Sequence, residues 1–320
     1  MNKGQHRTPR PDAGTEDCVE RYVLEERCSG RVSLRTSLAG DPSSPWQLDV
    51  DWCGEARLDR VYLESFLEVF DFARTQAGKL LAFLQRHQPH LQVGRVGLVY
   101  DGLEPRLRLV PMTGSDTQHW QAVLAPEERY GDENPDHVDS KSGPRMTRDV
   151  LDEWKRRLSP YEGAEDDLTF DGPASDDNLF ARIVRGEEEQ WRVYQDPSSV
   201  AVLTPFPNGP LKTVLVPRHH AASDVLGLDR AEFLALLRST HSALRIFDRV
   251  DAIGVAIVME GFEIDYAHIK LTPRFHGNKS ERCAFTHCYS GFLTSQRGPD
   301  LDAKQALDCH RLLVRVWPRD

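Results

Sequence analysis

The chain has 320 residues, a length that suits one to three domains. Hydrophobic residues make up 39%, enough to build a core, and charged residues 28%, as in an ordinary globular protein. A formal net charge of -10 argues against a general nucleic-acid binder, whose phosphate contacts need a basic face, and leaves room only for a local basic pocket. No apolar run is long enough to span a bilayer, so no membrane partner is expected. The opening MNKGQHRTPRPDAGTED lacks the apolar segment of a secretory signal. Residues 1–29 read as a disordered lead-in, and a cytoplasmic setting is expected.

The six cysteines (Cys18, Cys28, Cys53, Cys283, Cys288, Cys309) are scattered, and without an export signal reduced thiols are the default. Cys283, His287, Cys288, Cys309 and His310 can be drawn together as a zinc site on paper, but no CxxC pair supports one. No metal and no other cofactor is expected.

In chain order, RVSLRTSL and WQLDVDW alternate as two strands about a DPSSP turn. Leu58 to Gln88 has apolar residues recurring at three and four, the spacing of a long amphipathic helix. Strands RVGLVY and LRLVPM follow. Residues 115–177 are acidic and rich in Pro and Gly, and read as a linker carrying one helix, Thr147 to Leu158, with Thr147 as its cap. The other reading is an active-site flap. The pattern then restarts with a short LFARIV helix, strands WRVYQD, VAVLTPF and LKTVLVP, and a helix from Leu228 to Asp248 capped by Asp229. Strands GVAIVME and AHIKLTP come next, and a last helix runs from Asp302 to Trp317.

The two halves share an order of strand, helix, strand, turn and strand. VGLVYDGLE (Val96 to Glu104) aligns without a gap on VAIVMEGFE (Val255 to Glu263), and both helical stretches open with Leu-Asp-Arg. Aligning the terminal prolines, Pro111 and Pro273, sets Arg106 against His268 and Arg108 against Lys270. Duplication of a folding unit accounts for this better than a chance pairing of common helix and hairpin patterns. The first copy lacks a histidine at the key position and is expected to be catalytically silent.

Side chains alternate across a strand. In DYAHIKLTPR, Ala267, Ile269 and Leu271 therefore share an apolar face that belongs in the core, while Tyr266, His268 and Lys270 share the other and are expected to line a cleft. An imidazole can attack phosphorus to give a nucleotidyl-histidine, and a neighbouring cation such as Lys270 can stabilise the phosphoryl oxygens.

NLFARIVRGE, WRVYQDPSSVAVL, GPLKTVLVPRHH, the helix, the glycine turn and the histidine strand occur in the order found in the histidine-triad (HIT) family, which the region from about Asn178 to Pro273 resembles. The resemblance implies an α+β fold, an antiparallel sheet with a helix on it. Two copies, an N-terminal degenerate one at 30–114 and a C-terminal one with the site at 178–320, would form an intrachain pseudo-dimer, as in the galactose-1-phosphate uridylyltransferase branch.

The family pattern is His-φ-His-φ-His with the middle histidine as nucleophile; here it is Tyr266-Ala-His268-Ile-Lys270. The EG-x-E…AHIKL form and the turn YSGFLTSQRGP look like a subgroup with lysine in the third place. By the same resemblance Phe180 and Ile183 fall at the base, and Thr204 sits where an Asp usually binds ribose. Lys212 and His220 flank the strand before the helix, and Phe262 and Glu263 replace a Gln-Ser pair that contacts phosphate. Glu260, in the same turn, joins the nucleotide-binding set. Glu263 would repel a phosphate unless Lys270, Lys212 or Arg218 neutralised it.

The expected function is a nucleotidyl hydrolase or transferase working through His268, with Lys270 and Tyr266 beside it. Tyr266 is either a proton donor to the leaving group or a hydrogen-bonding or stacking residue at the pocket mouth. The alternative is a nucleotide-binding or regulatory protein without turnover. The expected partner is a nucleotide or a nucleotide-containing small molecule, and the expected assembly a monomeric pseudo-dimer or a homodimer. Of the remaining histidines, His219 and His220 should point opposite ways, and His241 reads as a packing or surface residue.

Overall fold

The computed structural model describes residues 23–38, 46–112, 130–131, 145–159, 166–207, 209–261, 264–275, 288–289 and 303–318. In chain order the first half holds β1 (Val23–Cys28), β2 (Ser33–Leu38), β3 (Leu48–Trp52), α1 (Leu63–His87), β4 (Arg95–Tyr100) and β5 (Arg106–Met112). A short β6 (Tyr130–Gly131) and α2 (Arg148–Leu158) follow. The second half holds α3 (Leu179–Val184), β7 (Trp191–Gln195), β8 (Ser199–Leu203), β9 (Thr213–Pro217), α4 (Arg230–Ala243), β10 (Gly254–Met259) and β11 (Ile269–Arg274). A short β12 (Cys288–Tyr289) and α5 (Ala303–Val316) complete the chain.

Ten strands form one antiparallel sheet in the order β1-β2-β3-β5-β4-β10-β11-β9-β8-β7, and β12 pairs with β6. The order reads the same from either edge once each strand is matched with its counterpart in the other half. The register makes this a local two-fold. Across the join Val99 lies opposite Val258, Leu98 opposite Met259 and Tyr100 opposite Ile257. Val99 and Val258 are the fourth residues of the two aligned segments, so the pseudo-axis passes between equivalent residues. The outer hairpins agree, since Val99 faces Arg108 and Val258 faces Lys270. That pairing makes Arg108 the counterpart of Lys270, as the proline alignment requires.

The join is close. A Cβ built on Gly254 would stand 1.9 Å from the Gly102 carbonyl oxygen, so no side chain fits at that point. Pairing β4 with β10 also removes two edges that would otherwise be open to other chains.

One face of the sheet carries the main core. Leu107, Leu109, Ala267, Ile269 and Leu271 are fully buried there with Phe66 and Phe70 of α1 and Phe233 and Leu237 of α4. The two long helices pack on each other. His241 fastens them as expected of a packing residue: Nε2 meets the Val61 carbonyl at 3.0 Å and the ring lies 5.1 Å from Phe66, edge to face.

Several boundaries differ from expectation. The lead-in expected through residue 29 contains β1, an edge strand with Leu24 buried, which its backbone pairing to β2 holds in place. The first long helix starts at Leu63 rather than Leu58, because the Leu58 N–H donates to the Tyr100 hydroxyl at 3.1 Å and Asp59 binds Arg57 and Arg60 instead of capping. In the second half the same Leu-Asp-Arg does cap, with Asp229 accepting from Ala231 and Glu232 N–H groups at 2.8 and 3.0 Å. There the helix gives way at Ala243 to a 3-10 segment, Leu244–Val250.

Thr147 stands at the N-cap of α2 but its side chain makes no capping bond. This helix, expected within a linker, is docked. Leu151, Trp154 and Leu158 are buried in the main core, and Asp152 accepts from the Trp191 indole at 2.8 Å. No described helix is long and apolar enough to cross a membrane.

Candidate functional site

The other face of the second half carries a smaller cluster. Here α3 lies over the sheet, with Asn178 accepting from the Phe180 N–H at 3.0 Å to start the helix. Phe180, Val184, Val200, Val214, Val216 and Tyr266 pack together. Beside them a cavity of about 390 Å³ opens, within the range of small-molecule sites.

Phe180, Ile183, Thr204, Lys212, His268 and Lys270 all line this cavity, although they come from four separate parts of the chain. Phe180 lies 5.3 Å from the His268 ring. Lys212 and Lys270 are 3% and 7% exposed, so two cations sit in a mostly apolar recess. Such burial makes charge-charge interactions stronger than in water.

His268 is buried on the cavity wall. Its Nδ1 lies 2.8 Å from the Tyr266 carbonyl oxygen. A carbonyl only accepts, so Nδ1 carries the proton and Nε2 keeps its lone pair in the neutral ring. Nε2 stands 4.0 Å from Oε1 of Glu260, which also pairs with the Lys270 ammonium. Glu260 is buried, and its Oε2 has no hydrogen-bond partner among the described residues.

Burial pushes the His268 imidazole below its ordinary value; Glu260 draws it back up, and Lys270 and Arg95 push it down. The folded protein therefore holds His268 neutral at pH values where an exposed histidine gains a proton. The unfolded chain then binds more protons below about pH 6.5, so this group's share of stability is complete above that pH and is lost as the pH falls. Urea unfolding between pH 7.5 and 5 should show a steeper acid loss for the native protein than for His268→Asn, by up to about 1.4 kcal/mol per pH unit. Equal slopes would show that His268 is not held neutral.

Three expected site residues lie elsewhere. Tyr266 does not line the cavity: its hydroxyl donates to the Pro217 carbonyl at 2.8 Å, and its ring sits between Phe180 and His220. Burial raises its hydroxyl above the ordinary tyrosine value, so the group holds its proton. Tyr266 makes the hydrogen bond and the ring contacts of the second alternative, but buried beside the cavity rather than at its mouth. His220 also turns away, with Nδ1 2.8 Å from Asp176 and Nε2 2.8 Å from the Asp265 carbonyl oxygen, while His219 faces Glu232 at 3.5 Å. Glu260 lies behind His268 and Lys270 rather than on the cavity wall.

Arg218 is a clamp, bonded to the Asp167, Thr169 and Asp196 carbonyl oxygens at 2.8, 2.9 and 2.8 Å. Phe262 and Glu263 lie outside the described residues.

The cavity also has members that sequence reasoning missed. Arg145, Glu188, Glu189, Trp191 and Phe206 line it. Arg145 and Arg148 both reach Glu189, at 3.5 and 2.8 Å, which ties the start of α2 to the rim. Exposed pairs of this kind add little stability, about 1 kcal/mol at most. Trp191 opens the WRVYQDPSSVAVL segment, but nothing in the sequence marks it or the others as cavity residues, and only the docking of α2 brings Arg145 here.

The first half has charge where the second has the cavity. Arg108, the counterpart of Lys270, pairs with Asp49 at 3.0 Å, and Arg106, the counterpart of His268, pairs with Asp51 at 2.8 Å and Glu104 at 3.2 Å. Opposite Lys270 in the sheet stands Val214, whereas opposite Arg108 stands Asp49. The arginines are thus spent on local carboxylates.

No group of three or more His, Cys, Asp or Glu side chains placed to hold a metal occurs among the described residues. Cys28 and Cys53 are free and exposed. Cys18, Cys283, His287 and the side chains of Cys288, Cys309 and His310 lie outside the described residues.

No protein-family model and no curated protein matches this chain. Among solved structures it is similar to the SMU.412c protein of Streptococcus mutans, at 22% identity over 42% of this chain and 82% of the other, with a TM-score of 0.31. It is similar to a histidine triad protein of Clostridium difficile, at 18% identity over 33% of this chain and 97% of the other, with a TM-score of 0.29. It is also similar to a uridylyltransferase, at 13% identity over 98% of this chain and 94% of the other, with a TM-score of 0.44.

Proposed function

We propose that the protein is a nucleotidyl hydrolase or transferase that works through a nucleotidyl-His268 intermediate. The observation that carries this reading is the convergence of Phe180, Ile183, Thr204, Lys212, His268 and Lys270 on one cavity. The aromatic and aliphatic side chains of Phe180 and Ile183 suit a base, and the two lysines suit phosphate oxygens. His268 has its Nδ1–H donated to a carbonyl, which leaves Nε2 as the nucleophile.

In the first step the Nε2 lone pair attacks the phosphorus attached to the nucleoside. A P–N bond forms, the bond to the leaving group breaks, and the leaving group departs with that electron pair and takes up a proton from solvent. In the second step the oxygen of water or of an acceptor hydroxyl attacks the same phosphorus. The P–N bond breaks, the attacking group loses its proton, and the imidazole is regenerated. Lys270 and Lys212 offset the charge on the phosphoryl oxygens in both steps.

A second reading, a nucleotide-binding protein without turnover, is favoured by one feature. Lys270 is already paired with Glu260, which also faces Nε2 of His268. The test is incubation with labelled nucleoside phosphoramidates, dinucleoside polyphosphates and nucleotide sugars, followed by mass spectrometry. A nucleotidyl adduct on the peptide carrying His268, with turnover, is the expected result. Binding with neither adduct nor turnover would leave the second reading, and no binding would remove both.

A further inference from the structure

We propose that the first half of the chain supplies a positioning residue, Arg95, to the His268 site of the second half; the role rests on His268 being the nucleophile. Arg95 opens β4 and is only 7% exposed. A guanidinium buried to that degree needs acceptors. Its Nη1 donates to the Ser223 hydroxyl at 3.1 Å and to the Gly261 carbonyl at 3.0 Å, both in the second half.

Gly261 is a constrained point. It has φ +69°, and a Cβ there would meet the Ser223 carbonyl oxygen at 2.1 Å and Arg95 Nη1 at 2.8 Å. It directly follows Glu260, whose carboxylate pairs with Lys270 and stands 4.0 Å from Nε2 of His268. Arg95 thus fixes the backbone that aims Glu260 at both groups.

The pseudo-two-fold shows that this is not a generic feature of the join. In the gap-free alignment Arg95 corresponds to Gly254, and Gly261 to Gly102. At the mirror position Gly254 lies against the Gly102 carbonyl with no room for a Cβ. One end of the join therefore uses two glycines in contact and the other an arginine reaching to a glycine. The arginine stands at the end that carries His268.

Among the described residues, the charged groups around His268 are Glu260, which directly follows β10, Lys270 from β11, which His268 directly precedes, and Arg95 from β4. Lys212 precedes β9, and Arg145, Glu188 and Glu189 lie around the cavity. Arg95 is the only one of these contributed by the first half, and its charge opposes protonation of His268.

The test compares the full chain with Arg95→Gln, Arg95→Lys and Ser223→Ala. Two readouts are taken: the NMR titration of the His268 ring without nucleotide, and the single-turnover rate of His268 nucleotidylation by a nucleoside phosphoramidate. Arg95→Gln is expected to slow nucleotidylation about tenfold to a hundredfold, with nucleotide affinity changed far less, as misaiming a reactive group does. It should also move the His268 titration to higher pH. Arg95→Lys, which keeps the charge, should retain the native titration and recover part of the rate.

A folded Arg95→Gln protein with native rate and native titration overturns the proposal. Should that variant not fold, Ser223→Ala decides it: the Arg95 charge stays, so the titration should remain native, while losing one acceptor should slow nucleotidylation, though less than Arg95→Gln, and an unchanged rate overturns the proposal. If the native protein forms no adduct, the nucleophile reading fails, and the His268 titration alone then decides whether Arg95 positions this site.

Discussion

Replacing His268 with alanine is expected to lower nucleotidyl transfer by roughly 10⁴-fold or more, to the level that binding and positioning alone provide. The adduct seen by mass spectrometry should vanish with it. The argument is stereoelectronic. Among the described groups on the cavity wall, the His268 ring has one nitrogen committed as a donor to the Tyr266 carbonyl and the other left with a lone pair. Burial keeps that lone pair free of a proton near neutrality. Lys212 and Lys270 share the wall but hold their electron pairs in N–H bonds while charged. Nucleotide binding should survive in His268→Ala, because Phe180, Ile183 and the lysines remain. Retained transfer activity in a folded His268→Ala protein would place the nucleophile elsewhere.

The second large effect is on stability. Lys270→Ala should destabilise the fold by about 3–5 kcal/mol, measured by urea unfolding at neutral pH, because it strands the Glu260 carboxylate. The Glu260 side chain is 1% exposed and its Oε2 already lacks a hydrogen-bond partner among the described residues. With Lys270 gone, its nearest described cationic candidate is His268 at 4.0 Å, which must gain a proton to help. The deficit should therefore shrink as the pH is lowered. The double variant Glu260→Leu with Lys270→Met should recover most of the loss, since the cost comes from an unpaired charge rather than from lost volume. Additive losses in the double variant would refute the pairing argument.

Much of the fold was legible because it follows from periodicity. Period two put Ala267, Ile269 and Leu271 in the main core and His268 and Lys270 on the opposite face. The gap-free alignment of the two halves reappears as sheet register, with Val99 and Val258 opposite each other at the join, and the proline alignment reappears in the hairpins, where Val99 faces Arg108 and Val258 faces Lys270. Six of the residues taken from the family resemblance line one cavity. Tyr266 shows the limit of that reasoning. The sequence put it on a strand beside His268, but β11 begins only at Ile269, and the Tyr266 hydroxyl goes to Pro217 and its ring to His220. Strand alternation assigns a face and says nothing of which neighbour covers it.

The residues alone carried what is local and repetitive: the helix faces, the order of elements along each half, the buried and cavity faces of the His268 segment, and the equivalence of the halves. Tertiary structure decided what depends on long loops closing. It docked α2 so that Arg145 and Glu189 meet at the cavity rim. It turned Glu260 behind His268 and carried Arg95 across the pseudo-two-fold to Gly261. Contacts between residues 95 and 261 leave no periodic trace in the chain. They exist because β4 pairs with β10, and that pairing is fixed by the whole sheet rather than by any one of its strands.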